Sequence, residues 1–132
     1  RWTKLSDYAL AKFPKPGLGF ADMHAAIAHA KGGRPDRVED IIERARGPVA
    51  DLTKLLARGF LQMASQNWRE AAGAFVEVQP GHARLGGSNA QRDLIEFSLA
   101  VCLARDGRRR EARTVLSITR PRAIRKELLA GV

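Results

Sequence analysis

The chain has 132 residues, with 23 Lys plus Arg against 14 Asp plus Glu and a formal charge of +9, which is enough for a single domain with a self-supporting core. No run approaches the roughly 18 apolar residues of a membrane span, and no charged-then-apolar export signal opens the chain. The single cysteine, Cys102, excludes an internal disulfide.

In chain order, Trp2, Leu5, Tyr8, Ala9 and Phe13 fall close to helical spacing, which predicts an opening amphipathic helix that Pro14, Pro16, Gly17 and Gly19 do not let continue. A second helix runs from about Phe20 to Lys31, rich in alanine and ended by Gly32 and Gly33. The third has Pro35 in its first turn and Val38, Ile41, Ile42 and Ala45 on one stripe, stopping before Gly47. A fourth, from about Pro48 to Ser65, carries Leu52, Leu55, Leu56, Phe60, Leu61 and Met63, and its internal Gly59 marks a close helix crossing. The fifth begins near Asn67 and ends before Pro80, and an irregular linker follows to Gly87. Ser88 and Gln91 have the spacing of a capping box. They open a sixth helix whose segment Leu94–Ala104 is apolar almost all round, leaving Arg92, Glu96, Ser98 and Arg105 for water, so it needs neighbours on several sides. A seventh helix from about Arg108 to Ser117 and a short closing one with Ile124, Leu128 and Leu129 complete an all-α chain, since no alternating β-branched run occurs.

The turn segments repeat. Gly33-Arg-Pro-Asp-Arg-Val38 aligns with Gln66-Asn-Trp-Arg-Glu-Ala71 and with Gly107-Arg-Arg-Arg-Glu-Ala112, and in each a larger apolar residue follows four residues later, at Ile42, Phe75 and Leu116. Gly33, Gln66 and Gly107 are 33 and 41 residues apart, the linker from Pro80 to Gly87 accounting for the longer gap. This spacing resembles the tetratricopeptide repeat, a helical hairpin of about 34 residues. It predicts a tetratricopeptide-like stack of three helical hairpins with flanking helices, in one domain from residue 1 to 132, with small residues Ala26, Gly59 and Ala100 at the crossings.

Two segments carry a closer likeness, Phe20 to Arg34, with Asp22, His24 and Ala25, and Arg84 to Glu96, with Gly86 through Asp93. Both resemble the C-terminal part of the tetratricopeptide repeat protein 38 family, although Asn89 stands where that family usually has His. The resemblance implies a helical-repeat protein without an established reaction, preceded by a further helical region; the start at Arg1 rather than Met fits a fragment of a longer chain.

Two candidate surfaces follow. The first helix of each hairpin presents Phe20, Met23 and Ile27, then Leu56, Phe60 and Met63, then Leu94, Phe97 and Val101, an apolar groove for a protein or peptide partner, for a second copy, or for the chain's own N-terminal region. The basic and asparagine clamp with which some tetratricopeptide domains hold a peptide carboxylate is replaced by Met23 and Ile27. The second surface is polar: Asp22, His24, Gln91, Arg92 and Asp93 would serve a small-molecule or enzymatic site if they converged, with His24 as base and Arg92 holding an anion. Against this, Gln91 caps, Asp93 favours a helix start and Arg92 pairs with Asp22 or Glu96 in the simpler reading.

Zinc and other metals are not expected, because His24 and His29 are five apart without an intervening Glu, and no cofactor-binding loop occurs. The basic residues, densest from Arg105 to Lys126, are interspersed with acids elsewhere and read as solvated surface rather than a nucleic-acid site. The sequence therefore reads as a cytoplasmic interaction or scaffold module rather than an enzyme.

Overall fold

The chain reverses at three places by one backbone device. At Gly33, Gln66 and Gly107 φ is positive, at 75°, 62° and 81°. The next residue in each case, Arg34, Asn67 or Arg108, donates its N–H to the carbonyl five residues back, on His29, Gln62 or Leu103, at 2.9, 2.9 and 2.8 Å. The positive-φ residue itself donates to the carbonyl three back, on Ala30, Met63 or Ala104. Both bonds together are the Schellman closure of a helix. Glycine enters the left-handed region freely, whereas a residue with a Cβ loses about 1–2 kcal/mol there. Gln66 is the one non-glycine residue with positive φ among the described residues. Gln66→Gly is expected to raise stability by about 0.5–1 kcal/mol, the relief being partly offset by a more flexible unfolded chain, and Gly107→Ala to lower it comparably; urea midpoints check both.

The computed structural model describes residues 1–85 and 89–119. Among them are seven α-helices and one 3-10 helix: α1 (Trp2–Lys12), α2 (Gly19–Lys31), α3 (Pro35–Arg44), α4 (Ala50–Ala64), α5 (Trp68–Val78), the 3-10 helix Gln79–Leu85, α6 (Asn89–Arg105) and α7 (Arg109–Thr119), with no strand. The 3-10 helix replaces the expected irregular linker. It folds back on α4, where Arg84 bonds both Asp51, at 3.1 Å, and the Pro48 carbonyl, at 2.7 Å. Ser88 of the expected capping box and the closing helix with Ile124, Leu128 and Leu129 lie outside the described residues.

Each helix packs on its neighbours in sequence, and α2 also packs on α4. The directions follow from which ends meet. A Cβ on Gly32 would stand 2.9 Å from the Ser6 Cβ and 3.2 Å from the Trp2 carbonyl oxygen, so the end of α2 meets the start of α1 and the two are antiparallel. Gly19 lies against Val49 and Thr53, so α2 and α4 start together and run the same way. At the far end Arg69 reaches Asp106 at 3.3 Å and the Arg105 guanidinium lies 5.8 Å from the Trp68 ring, which sets α5 antiparallel to α6.

The core runs through all of these helices. Phe60 and Phe75 meet edge-to-face with centroids 5.2 Å apart, and Gly59 gives way to the Phe75 ring, which a Cβ there would meet at 2.9 Å. The aligned positions Val38, Ala71 and Ala112 are all fully buried, as is Ala26, with Ala100 nearly so and Gly59 buried as well. On α6 the structure departs from the sequence reading. Glu96 and Ser98 are buried rather than hydrated, and Val101 is exposed. Ser98 tolerates burial because its Oγ donates to the Leu94 carbonyl at 2.7 Å, within its own helix, and Glu96 is partnered as well. Because α6 rests on α5 and α7, a side chain turned away from both, such as Val101, stays in water.

Candidate functional site

An apolar cleft of about 380 Å³ opens between α1 and α2. The stripe of α1 supplies Trp2, Leu5, Tyr8 and Phe13, α2 supplies Phe20, His24 and Ile27, and Leu94 reaches in from α6. Small residues on both helices, Ala9, Ala21, Ala25 and Ala28, form the floor. No Asp, Glu, Lys or Arg lines it; the Trp2 indole N–H, the Tyr8 hydroxyl and the His24 imidazole are its polar side-chain groups. Trp2, Leu5, Tyr8, Phe13 and Phe20 are all exposed, an unusual concentration for side chains that lose free energy in water.

Two polar arrangements hold the cleft in shape. The connection from α1 to α2 is fastened by Asp22, whose carboxylate accepts the Gly17 N–H at 2.8 Å. Burial raises the pKa of Asp22, and the hydrogen bonds from Gly17 and Leu18 oppose the rise. Behind the cleft, the buried Ser6 Oγ stands 2.7 Å from His29 Nδ1, and Arg34 donates to Ser6 Oγ at 3.2 Å and pairs with Asp7. The Ser6 hydroxyl oxygen accepts from the guanidinium, which only donates, and makes its second hydrogen bond with His29 Nδ1. Burial lowers the pKa of His29, and the Arg34 and Arg37 charges lower it further.

This sets the sign of a pH dependence. A histidine that binds its proton less readily folded than unfolded contributes stability that is complete above the ordinary value of about 6.5 and declines as pH falls below it. The raised pKa of Asp22 acts oppositely, its contribution being lost as pH rises from the ordinary carboxylate value of 3.8. Between pH 7.5 and 5.5 the urea midpoint is therefore expected to fall, and to fall less in His29→Gln.

Of the five polar candidates, His24 alone lines the cleft. Its Nδ1–H donates to the Phe20 carbonyl at 2.9 Å, and its ring leans on the Phe20 ring with centroids 4.6 Å apart. Asp22 is buried and turned to Gly17, Arg92 bonds Asn89, and Asp93 is half-buried and partnered. Gln91 Oε1 is buried without a hydrogen-bond partner among the described residues.

The apolar row is divided. Met23, Leu56 and Phe60 are core residues with no surface to offer, Ile27, Met63, Leu94 and Phe97 are half-buried, and Phe20 and Val101 are exposed. Phe20, Ile27 and Leu94 reach the cleft. The wall that reasoning from the repeat left out is α1. Its signal was present in the Trp2, Leu5, Tyr8 and Phe13 stripe, which is wider than one neighbouring helix can cover.

Elsewhere the chemistry is quiet. Burial pushes the Cys102 thiol up to about 11, far from a reactive thiolate. No group of three His, Cys, Asp or Glu among the described residues is placed to hold a metal ion, and no described helix is long and apolar enough to cross a membrane. In the basic stretch Arg108 pairs with Glu111 at 2.6 Å, while Arg120, Arg122, Arg125 and Lys126 lie outside the described residues. Comparison with protein families, with curated proteins and with solved structures found no match.

Proposed function

We propose that this chain is an interaction module built as a tetratricopeptide-like stack of helical hairpins, and that it takes a protein partner at the cleft between α1 and α2. The observation that carries the reading is the cleft itself, an uncharged hollow rimmed by exposed Trp2, Leu5, Tyr8 and Phe20. Large aromatic side chains around a hollow are the usual anchors of a protein interface. Support for the stack comes from the three matching turn closures and from the buried small residues seven positions before each of them, Ala26, Gly59 and Ala100. Kinship with the tetratricopeptide repeat protein 38 family belongs to the same proposal and rests on the segments around Asp22 and Asp93. The enzymatic alternative has less behind it, since His24 lines the cleft without Asp22, Gln91, Arg92 or Asp93 among the residues beside it.

The test is capture by the immobilised chain, compared across folded variants. Tyr8→Asp and Phe20→Asp should abolish capture of whatever wild type retains, while Val101→Asp should leave it intact. Capture that survives both cleft variants would remove the cleft from consideration.

A further inference from the structure

We infer that the cleft takes an amphipathic α-helix of the partner protein, lying antiparallel to α1 and parallel to α2, in the place that α2 holds against α3 and α4. This deepens the reading of the cleft as an interaction surface and rests on it. α1, α3 and α5 start at Trp2, Pro35 and Trp68, 33 residues apart each time, and their N-caps are Arg1, Arg34 and Asn67. α1 is therefore in step with the second helices of the hairpins rather than a flanking addition. Its surroundings are not in step. α3 packs on both α2 and α4, and α5 on both α4 and α6, whereas the helix that α1 packs on is α2.

Both walls of the cleft show what this leaves open. Leu5 and Tyr8 are 41% and 59% exposed, and their counterparts 33 residues later, Val38 and Ile41 on α3, are 0% and 4% exposed. On the other wall Phe20 is 51% exposed, and its counterpart on α4, Thr53, which faces α2 across Gly19, is 1% exposed. His24 is exposed and Ile27 half-buried, while Ala57 and Phe60 at the same places on α4 are core. The faces of α1 and α2 that line the cleft are thus the ones that α3 and α4 keep from water. The cleft continues that interface, and its occupant is a helix with an apolar face and, as in α2, a small residue at the crossing.

The test uses the full chain with a second copy of Gly19–Gly33 joined ahead of Arg1, which places the copy before Arg1 as α2 and its turn stand before Arg34. Trp68→Phe leaves Trp2 as the reporter. Seating of the copy predicts that Trp2 emission moves to shorter wavelength, that its quenching by acrylamide is lost, and that the α1 amides gain protection from hydrogen exchange. A copy carrying Met23→Asp and Ala26→Asp should change none of these, with circular dichroism confirming that the original helices persist. A Trp2 as open in the fusion as in the unfused chain would overturn the inference, even where cleft-dependent partner capture stands. Dimerisation of the unfused chain that Tyr8→Asp abolishes, or an apolar dye that binds the fusion as it binds the unfused chain, would overturn it too, by assigning the cleft to a second copy or to a small molecule.

Discussion

Truncating Phe60 to alanine is expected to destabilise the chain by about 3–5 kcal/mol, the cost of removing a buried aromatic ring whose space the surroundings refill only in part. Against a total of about 5–15 kcal/mol for a domain of ordinary stability this is a large fraction. The ring is 2% exposed, sits edge-to-face on Phe75 and belongs to the cluster that joins α2, α4 and α5. Placed on an open groove, as the repeat pattern suggests, Phe60 would be a contact residue whose loss weakens binding and leaves the fold alone. Burial reverses that expectation. Urea unfolding followed by circular dichroism should show the midpoint falling steeply for Phe60→Ala and hardly at all for Val101→Ala, on an exposed position.

Replacing Gly32 with leucine is expected to lift α1 from α2. An added Cβ would meet the Ser6 Cβ at 2.9 Å and two backbone carbonyl oxygens, of Ala28 at 2.8 Å and Trp2 at 3.2 Å, none of which can swing aside as the tip of a flexible side chain would. Overpacking of this kind costs about 1–3 kcal/mol. The cheapest relief is to give up the contacts of α1, whose helix neighbour is α2, while α2 through α7 hold one another. In a Trp68→Phe background Trp2 emission should move to longer wavelength, and His29, uncovered as α1 lifts, should lose the burial that lowers its pKa, so the fall in stability on acidification shrinks. Gly73→Ala is the control: nothing stands within 4 Å of its Cβ, and in a helix interior the change should stabilise by about 0.5–1 kcal/mol.

Much of this architecture was readable from residue order. The helices lie within two or three residues of where the glycines, prolines and apolar stripes put them, because capping and turn chemistry are local. The three turns could be aligned because a Schellman closure needs one left-handed residue, and glycine supplies it at Gly33 and Gly107. What spacing could not say was which apolar residues would be covered. Phe20 and Thr53 occupy the same phase, as do Tyr8 and Ile41, yet one member of each pair is open and the other buried. That difference depends on which helix has a neighbour, a tertiary fact that periodicity does not contain. The same holds for Glu96 and Ser98, polar residues that looked hydrated and are buried with their partners. Asp22 and His24, side by side in the family-like segment, face different surroundings because two positions on a helix point well apart: one fastens the loop before α2 and the other stands on the cleft wall.

The cleft between α1 and α2 is the face proposed to receive a helix. The direct measurement is to follow the backbone amides of the labelled chain by NMR while an unlabelled Gly19–Gly33 peptide is added. Shifts concentrated at Leu5, Tyr8, Phe20, His24 and Ile27 are the predicted result. Shifts gathered instead around Met63, Phe97 and Val101 or along Arg108–Arg113, with those five amides unmoved, would contradict it.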